Sequence, residues 1–502
     1  MFLVFAISSV IKAQSTTKFE TGHNDSVWFD PVSGERVHKL RLATFDTLVV
    51  TRQQPFKAIA VDLGINAGIL AWDHFVQKRE WAKVTFNVIN NHFKRGFCWD
   101  GDSFSGNQFS HPYHGGLFYN AARQHGMSYG VSLLYPLLGS FTWEMFCERN
   151  RPAINDLLST GIGGAAFGEV THRTSDIFFD NSERGTKRVA REIIGSLLNP
   201  VRGIQRMISG EMWRVSPYRG KHIIPEPYSF SVTAGVRHMS RHSNLNNGMD
   251  IPYMNFAFSY GDRFDSVNKN HPYDWFTLNI LANLSPDHPT IGEMDIIGRI
   301  ASRQIHLKNG WKMDAAFYQT VKYVDNYGEG GRYSNKHSDY PVISEAVSFG
   351  GGLYAEKTST HTSVNNDFIF SAVILGGTNT DYFTTRRYNF STGFSIRNNS
   401  RFSLNKKFTI GNNLYVALLF TPDGYTPEEY EEIIQNNHEA NVMGDKGCST
   451  VIVNRAYANA NITSTMKIDF SYIIYHRNSN YTYYPNVNKD MGEYRIGLSY
   501  SF

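Results

Sequence analysis

The chain has 502 residues, 49 Lys and Arg against 45 Asp and Glu, a formal charge of +4, and 14% aromatic residues. That length allows two or three structural units, and a mild charge without a basic stripe or tail excludes nucleic acid from the expected partners. Three scattered cysteines, Cys98, Cys147 and Cys448, are too few for a disulfide framework or a zinc site, and no cofactor is expected.

Residues 1–13 read as a secretory signal. Met1 to Lys12 supply an apolar core, and Ala13 a small residue at the cut, although no basic segment comes first. No later apolar run reaches the roughly 18 residues of a spanning helix; the nearest, Met127 to Trp143, is interrupted by Pro136. An exported chain of this kind either stays soluble or crosses a membrane as a barrel. Residues 14–108 read as an arm with short elements: a turn-rich extended stretch from Asn24 to Val50, a short helix within 58–76, a strand from Trp81 to Asn90, and a loop from Phe97 to Gln108.

Residues 109–215 form an expected module of about four helices. Pro112 suits the first turn of the first helix, which runs to about His125. The second spans Ser128 to Glu148. A third follows Pro152, with Asn155 or Asp156 near its cap, and its Gly161, Gly163, Gly164 and Gly168 cost helix stability unless they admit a neighbouring helix. The fourth carries Val189, Ile193, Ile194, Leu197 and Leu198 on one stripe, with Lys187, Arg188 and Arg191 opposite, and is stopped by Asn199-Pro200.

Residues 228–502 alternate apolar and polar side chains with period two, as in Tyr228, Phe230, Val232, Ala234 and Val236, and later Met466, Ile468, Phe470, Tyr472 and Ile474. A lipid-facing strand requires that pattern, and closure satisfies its backbone. About twelve such segments occur, an even number as in single-chain bacterial barrels. A soluble β-sandwich alternates as well, but with fewer exposed aromatics. If Phe502 ends on the periplasmic side, the turns at Asn309-Gly310 and Asn405-Lys406-Lys407 are periplasmic. The long connections 325–343 and 422–450 then lie outside, and residue 228 with the module before it starts at the periplasmic side. The last strand places Tyr494, Ile496, Leu498, Tyr500 and Phe502 on one face. It resembles the C-terminal signal read by the barrel-insertion machinery. The fold class is therefore an α+β membrane protein: an all-helical module followed by a transmembrane antiparallel barrel in the outer membrane of a Gram-negative bacterium, with outer-membrane lipid and that machinery as partners.

The run Asn107 to Arg123 (with His111-Pro-Tyr-His114-Gly-Gly), then Trp143-Glu144, Arg151 to Asp156, Gly168-Glu169-Val170 and Asn199-Pro-Val-Arg-Gly203, resembles a family of Gram-negative outer-membrane proteins catalogued as a domain of unknown function. The resemblance spans about residues 58 to 215 and implies no activity. More loosely, the helical core is similar to that of VanZ-like membrane proteins.

Two readings of the polar cluster follow. His111, Glu144 and Asp156 form an acid–base set suited to an ester or phosphate of a lipid headgroup, with Ser110 or Ser159 as nucleophile. No Gly-x-Ser-x-Gly elbow supports it. Around them His114, Glu148, Arg151, Glu169, His172 and Asp176 form a ligand-binding or structural group, with Arg149 and Arg151 placed to pair Glu144 and Glu148. Glu169-x-x-His172 is half of a di-iron ligand set without its second copy, so no metal site is assigned. The alternative is that the whole cluster holds a bundle together as buried ion pairs and caps. At the level of function, these features imply a barrel with a periplasm-side or lumen-plugging helical module that maintains the envelope, or passes or handles a lipid or glycan. The alternatives are a membrane-embedded enzyme modifying lipid A or phospholipid, and a surface scaffold.

Overall fold

A computed structural model describes residues 26–29, 36–39, 52–241, 248–265, 271–326, 340–436 and 440–502. The expected signal at 1–13 and the arm residues 14–25, 30–35 and 40–51 lie outside the described residues, as does much of the connection 325–343. The chain divides into two compact units: a helical one ending at Pro225, and a strand unit of 27–39 and 226–502.

In the strand unit, two short arm strands, β1 (Ser26–Phe29) and β2 (Arg36–Lys39), precede twelve long ones. These are β3 (Tyr228–Arg241), β4 (Gly248–Tyr260), β5 (Phe276–Asn283), β6 (Ile291–His306), β7 (Lys312–Asp325), β8 (Val342–Thr358), β9 (Thr362–Asn379), β10 (Tyr388–Leu404), β11 (Phe408–Thr421), β12 (Gly447–Asn461), β13 (Met466–Tyr481) and β14 (Val487–Ser501). Each pairs antiparallel with the next, and β14 returns to β3 with Ile496 opposite Val236, so β3 to β14 close into a twelve-stranded barrel. Closure leaves no unpaired edge, the condition for strands to cross lipid. Alternation decides which way each side chain faces. Val236, Phe370, Phe394, Phe470, Ile496 and Leu498 are exposed on the outside, whereas Arg237, Ile369, Ser395, Ser471, Arg495 and Ser499, one residue away, point inward.

Connections are unequal at the two ends. The turns 359–361, 405–407 and 462–465 lie where β3 begins and β14 finishes; 326–341 and 422–446 lie at the opposite end. This is the expected asymmetry, with one exception: the connection 261–275 is long although it sits among the short turns. Its Arg263 reaches into the barrel and pairs with Asp367 at 2.5 Å. The connection 422–446 carries a helix closed at its start by a capping box between Thr426 and Glu429.

The helical unit starts earlier than the expected four helices, with α1 (Pro55–Ala71), and continues with α2 (Phe86–Arg95), α3 (His111–Gln124), α4 (Tyr129–Ser132), α5 (Leu134–Phe146), α6 (Ile154–Leu158), α7 (Gly164–Phe178), α8 (Gly185–Leu198) and α9 (Pro200–Ile208). Trp81–Asn90, expected as a strand, is instead a helical turn at Glu80–Ala82 followed by α2, because Thr85 accepts a hydrogen bond from the Val88 N–H and caps a helix there. Asn199-Pro200 does stop α8, but Asn199 then caps α9 through the Arg202 N–H and Pro200 occupies its first turn. The run from Pro55 to Val76 is long and apolar enough to cross a membrane by length and composition, despite containing Asp62 and Asp73.

The glycines act as expected. A Cβ on Gly164 would sit 2.5 Å from the Gly115 Cα, and one on Gly168 2.5 Å from the Tyr119 ring, so α3 and α7 touch backbone to backbone.

Candidate functional site

Two polar assemblies occupy the helical unit, and they differ in whether their charges are matched. Around α7 the matching is close. Glu169, fully buried, accepts from Arg123 at 2.9 Å, Arg173 at 2.8 Å and Tyr119 at 2.8 Å. Burial opposes its charge, but the two guanidiniums outweigh it and hold the carboxyl below the usual glutamate range. Asp176 meets Arg202 at 2.7 Å and accepts from the His222 and Ile223 backbone N–H groups. Lys221 donates to the Ile177 and Phe179 carbonyls at the end of α7, closing that helix. His172 is buried, and burial together with Arg123 and Arg202 keeps its imidazole neutral. Its Nδ1 faces the Gln124 amide at 3.3 Å. Glu169, His172 and Asp176 are therefore dispersed among separate structural partners.

The second assembly is acid-rich. Cys98 and Ala153 are bridged by backbone hydrogen bonds, which carries the loop Trp99-Asp100-Gly101-Asp102 against the first turn of α6. There Asn155 Nδ2 donates to Asp100, Asn107 and Asp156 at 3.0, 3.0 and 2.9 Å. The His111 Nε2, at the start of α3, lies 3.4 Å from Asp156 Oδ1 and 3.9 Å from Asp102 Oδ2. Glu144 on α5 accepts the Ala153 N–H at 2.8 Å, and Glu148 accepts from Trp143 Nε1 and Asn150. The set runs from solvent inward: the Asp102 side chain is 58% exposed and that of Asp156 5%.

Among the described residues no Arg or Lys pairs with Glu144, Glu148 or Asp156. Arg151, expected to do so, donates instead to the backbone carbonyls of Arg95, Gly96 and Phe97. Burial, aggravated by Glu148, raises the Glu144 carboxyl well above its ordinary range. Burial with Asp100 and Glu144 does the same for Asp156. In both, burial and neighbouring carboxylates disfavour the charged form, and Asp156 lies beside the His111 imidazole. His114, packed against Phe118 and Trp143, is pushed down to about 3 by burial and is neutral.

The structure thus brings His111, Glu144 and Asp156 into one neighbourhood and adds Asp100 and Asp102, which the sequence reading left in a loop. The acidic pair Asp100-Gly-Asp102 just ahead of the His-Pro-Tyr-His run was the available signal. Neither serine joins the group: Ser159 Oγ is buried without a hydrogen-bond partner, and Ser110 is exposed. Asn155 and Asp156 lie in the first turn of α6, whose cap position is Ala153.

In the strand unit the inward faces carry a third assembly. Arg495 reaches Glu293 from β14 to β6, and Arg397 reaches Asp295 at 2.6 Å from β10 to β6, both across the barrel. Arg237 pairs with Glu493 at 2.7 Å, Glu345 receives Arg397 and Tyr415 at 2.8 Å each, and Arg299 joins Asp274 and Asp314 at 2.8 Å. Toward the long-connection end an apolar layer follows, with Met239, Ile251, Ile343, Val373, Leu419 and Met491. The arginines and their partners Glu345, Glu493 and Asp314 are almost wholly shielded from solvent, whereas Glu293 and Asp295, the partners across the barrel, keep 24% and 27% of their side-chain surface exposed.

These features define the class: a closed antiparallel barrel of the outer-membrane type preceded by a polar-cored helical module. Residues 96–201 match the model of a family described as a domain of unknown function (DUF3943). The looser similarity to VanZ-like proteins is not shown by this match. No curated protein matches the chain. Among solved structures, the NanC porin is similar at 10% identity and a TM-score of 0.27 over 53% of this chain and 98% of that one. The KdgM porin gives 11%, 0.22, 54% and 99%. An outer-membrane channel from Pseudomonas putida F1 gives 9%, 0.29, 56% and 97%.

Proposed function

We propose that this chain is an outer-membrane barrel whose lumen is a polar path held shut at rest by cross-barrel ion pairs, opening for the passage of a polar solute such as a glycan fragment. The observation that carries this reading is the content of the lumen. Burying a guanidinium and a carboxylate costs several kcal/mol per ion before their attraction is counted, and well-packed apolar side chains are commonly as stable or more so. A barrel shaped only to be stable has no need of Arg237, Arg299, Arg397 and Arg495 on its inner wall. A path that must be wet when open does need charge there, and pairing it when closed avoids leaving it naked. Single-channel recording in planar bilayers tests the reading. The native protein should be silent for most of the recording with brief openings, and Glu493→Gln, which unties Arg237 and Arg495, should raise the open fraction at least tenfold. Glu493→Gln and Glu345→Gln variants that migrate as folded barrels yet stay as silent as the parent would overturn it.

The buried carboxyls near His111, raised above the ordinary acid range, favour a second reading, a general-acid site acting on an ester or phosphate of an envelope lipid. Proton donation at neutral pH needs a carboxyl raised toward that pH, which burial gives Glu144 and Asp156. Under this reading Glu144→Gln and Asp156→Asn variants fold normally and shift the envelope lipid profile toward that of a deletion strain. An unchanged profile removes it.

A further inference from the structure

Beside an apolar core that includes Phe118, Trp143 and Val170, parts of the helical unit bury polar side chains and turn apolar ones outward. On α8 the buried side is charged, with Arg188, Arg191 and Glu192, while Val189, Ile193 and Leu197 are each more than half exposed. Three of the five residues of the stripe that sequence periodicity assigns to a core thus face away from it, while Ile194 is buried. The same inversion recurs on α1, which buries Asp62 and Asn66, and on α2, which buries only His92; α5 buries Tyr135, Trp143 and Met145 yet leaves Leu134 and Phe141 exposed. Asn66 of α1 ties that helix to α5 through the Gly139 carbonyl and Thr142, and Phe93 of α2 approaches Phe146 of α5 at 6.2 Å between ring centres, so the three helices form one surface. That surface presents Phe56, Trp72, Phe75 (74% exposed), Phe93, Leu134 and Phe141 outward. Single exposed apolar side chains are ordinary on soluble proteins, but aromatic residues this exposed on adjoining helices mark an interaction face.

The surroundings of the patch point to its occupant. Exposed cations, Lys57, Lys78, Arg79, Lys83 and Lys94, border the apolar run on α1 and its neighbour α2. Apolar and aromatic residues rimmed mainly by Lys and Arg, with Glu80 paired to Lys83 at 2.6 Å, are the composition of a surface that lies in the headgroup region of an anionic bilayer. A second copy of the chain would instead bring like charges together around the rim. The rest of the chain is, moreover, a barrel with an apolar outer wall. We infer that the face formed by α1, α2 and α5 seats in the headgroup and upper acyl region of an anionic phospholipid leaflet, with the basic residues at the phosphates.

The test uses the full chain in vesicles of 7:3 phosphatidylcholine and phosphatidylglycerol, with the three native cysteines replaced by serine and a bimane probe at Phe75→Cys or Phe93→Cys. A probe at Val189→Cys reports on α8, and heat-modifiable migration confirms folding. The expected result is a blue-shifted emission at positions 75 and 93, quenched severalfold more by doxyl-labelled lipid than by aqueous iodide. A further expectation is weaker doxyl quenching in the Lys78→Glu, Arg79→Glu variant. Iodide quenching that dominates at both positions in folded protein overturns the inference. So does protection from both quenchers that vanishes on dilution into excess lipid, the signature of a second copy. Neither result bears on channel opening, so this inference and the proposed passage fail separately.

Discussion

Glu169 and Glu144 are both buried glutamates in the same unit, and they give opposite responses to pH. Glu169 is held below the ordinary glutamate range by Arg123 and Arg173 despite burial, so its stabilisation is complete above the unfolded value near 4.5 and lost as pH falls through its folded value. Glu144 is raised by burial with no cation to oppose it. It costs nothing below about pH 4.5 and progressively destabilises the fold as pH rises above that value. Two outcomes follow for thermal unfolding of the helical unit followed by circular dichroism. Glu169→Gln, which leaves two guanidiniums facing a neutral amide, should cost about 3–5 kcal/mol at pH 7. Glu144→Gln keeps an acceptor for the Ala153 N–H, so it should leave stability at pH 5 unchanged and flatten the decline between pH 5 and 9. A decline as steep as the parent's would mean that Glu144 is already ionised in the fold.

At the scale of elements, the crossing of α3 and α7 rests on atoms that are missing rather than present. A Cβ on Gly115 would meet the Thr160 carbonyl oxygen at 1.9 Å, and backbone cannot yield as a side-chain tip does. Gly115→Ala should therefore destabilise the unit by about 3 kcal/mol, the upper range for overpacking, and limited proteolysis should cut it faster. Gly130→Ala, whose Cβ meets nothing within 4 Å, is the control. That α7 needs small residues was legible in the sequence, because four glycines in eight positions of a helix have no other use. The twelve strands were legible for a similar reason: a wall between lipid and lumen imposes period two on every strand. Pairing was not legible. Arg151 is one turn from Glu148 in sequence, yet the chain bends between α5 and α6, and its guanidinium serves the carbonyls before Cys98 instead. Asp100 and Asp102 joined the acid cluster through the Cys98–Ala153 bridge, a contact between residues 55 apart that no local pattern encodes. The charged face of α8 was visible, but amphipathicity alone does not say which face is buried.

For the whole molecule, the decisive event is closure of the barrel, and it occurs where the chain ends. β14 must find β3, more than 250 residues earlier, so non-local closure is slow and leaves open edges meanwhile. Phe502 sits at that seam. Its N–H donates to the Phe230 carbonyl at 3.0 Å, its ring stacks on Phe230 at 5.3 Å, and its carbonyl accepts from His38 of β2 at 2.6 Å. The backbone contacts do not depend on the side chain, so Phe502→Ala should remove the ring contact and little else from the finished barrel. Refolded in detergent, that variant should reach the heat-modifiable form with a yield close to the parent's. If the aromatic terminus is what the insertion machinery grips, the same variant expressed in cells should appear in the outer membrane at a small fraction of the parental level and accumulate as protease-sensitive chain. Equal losses in detergent and in cells would place the role of Phe502 in closure itself, through the ring it stacks on Phe230, and not in recognition.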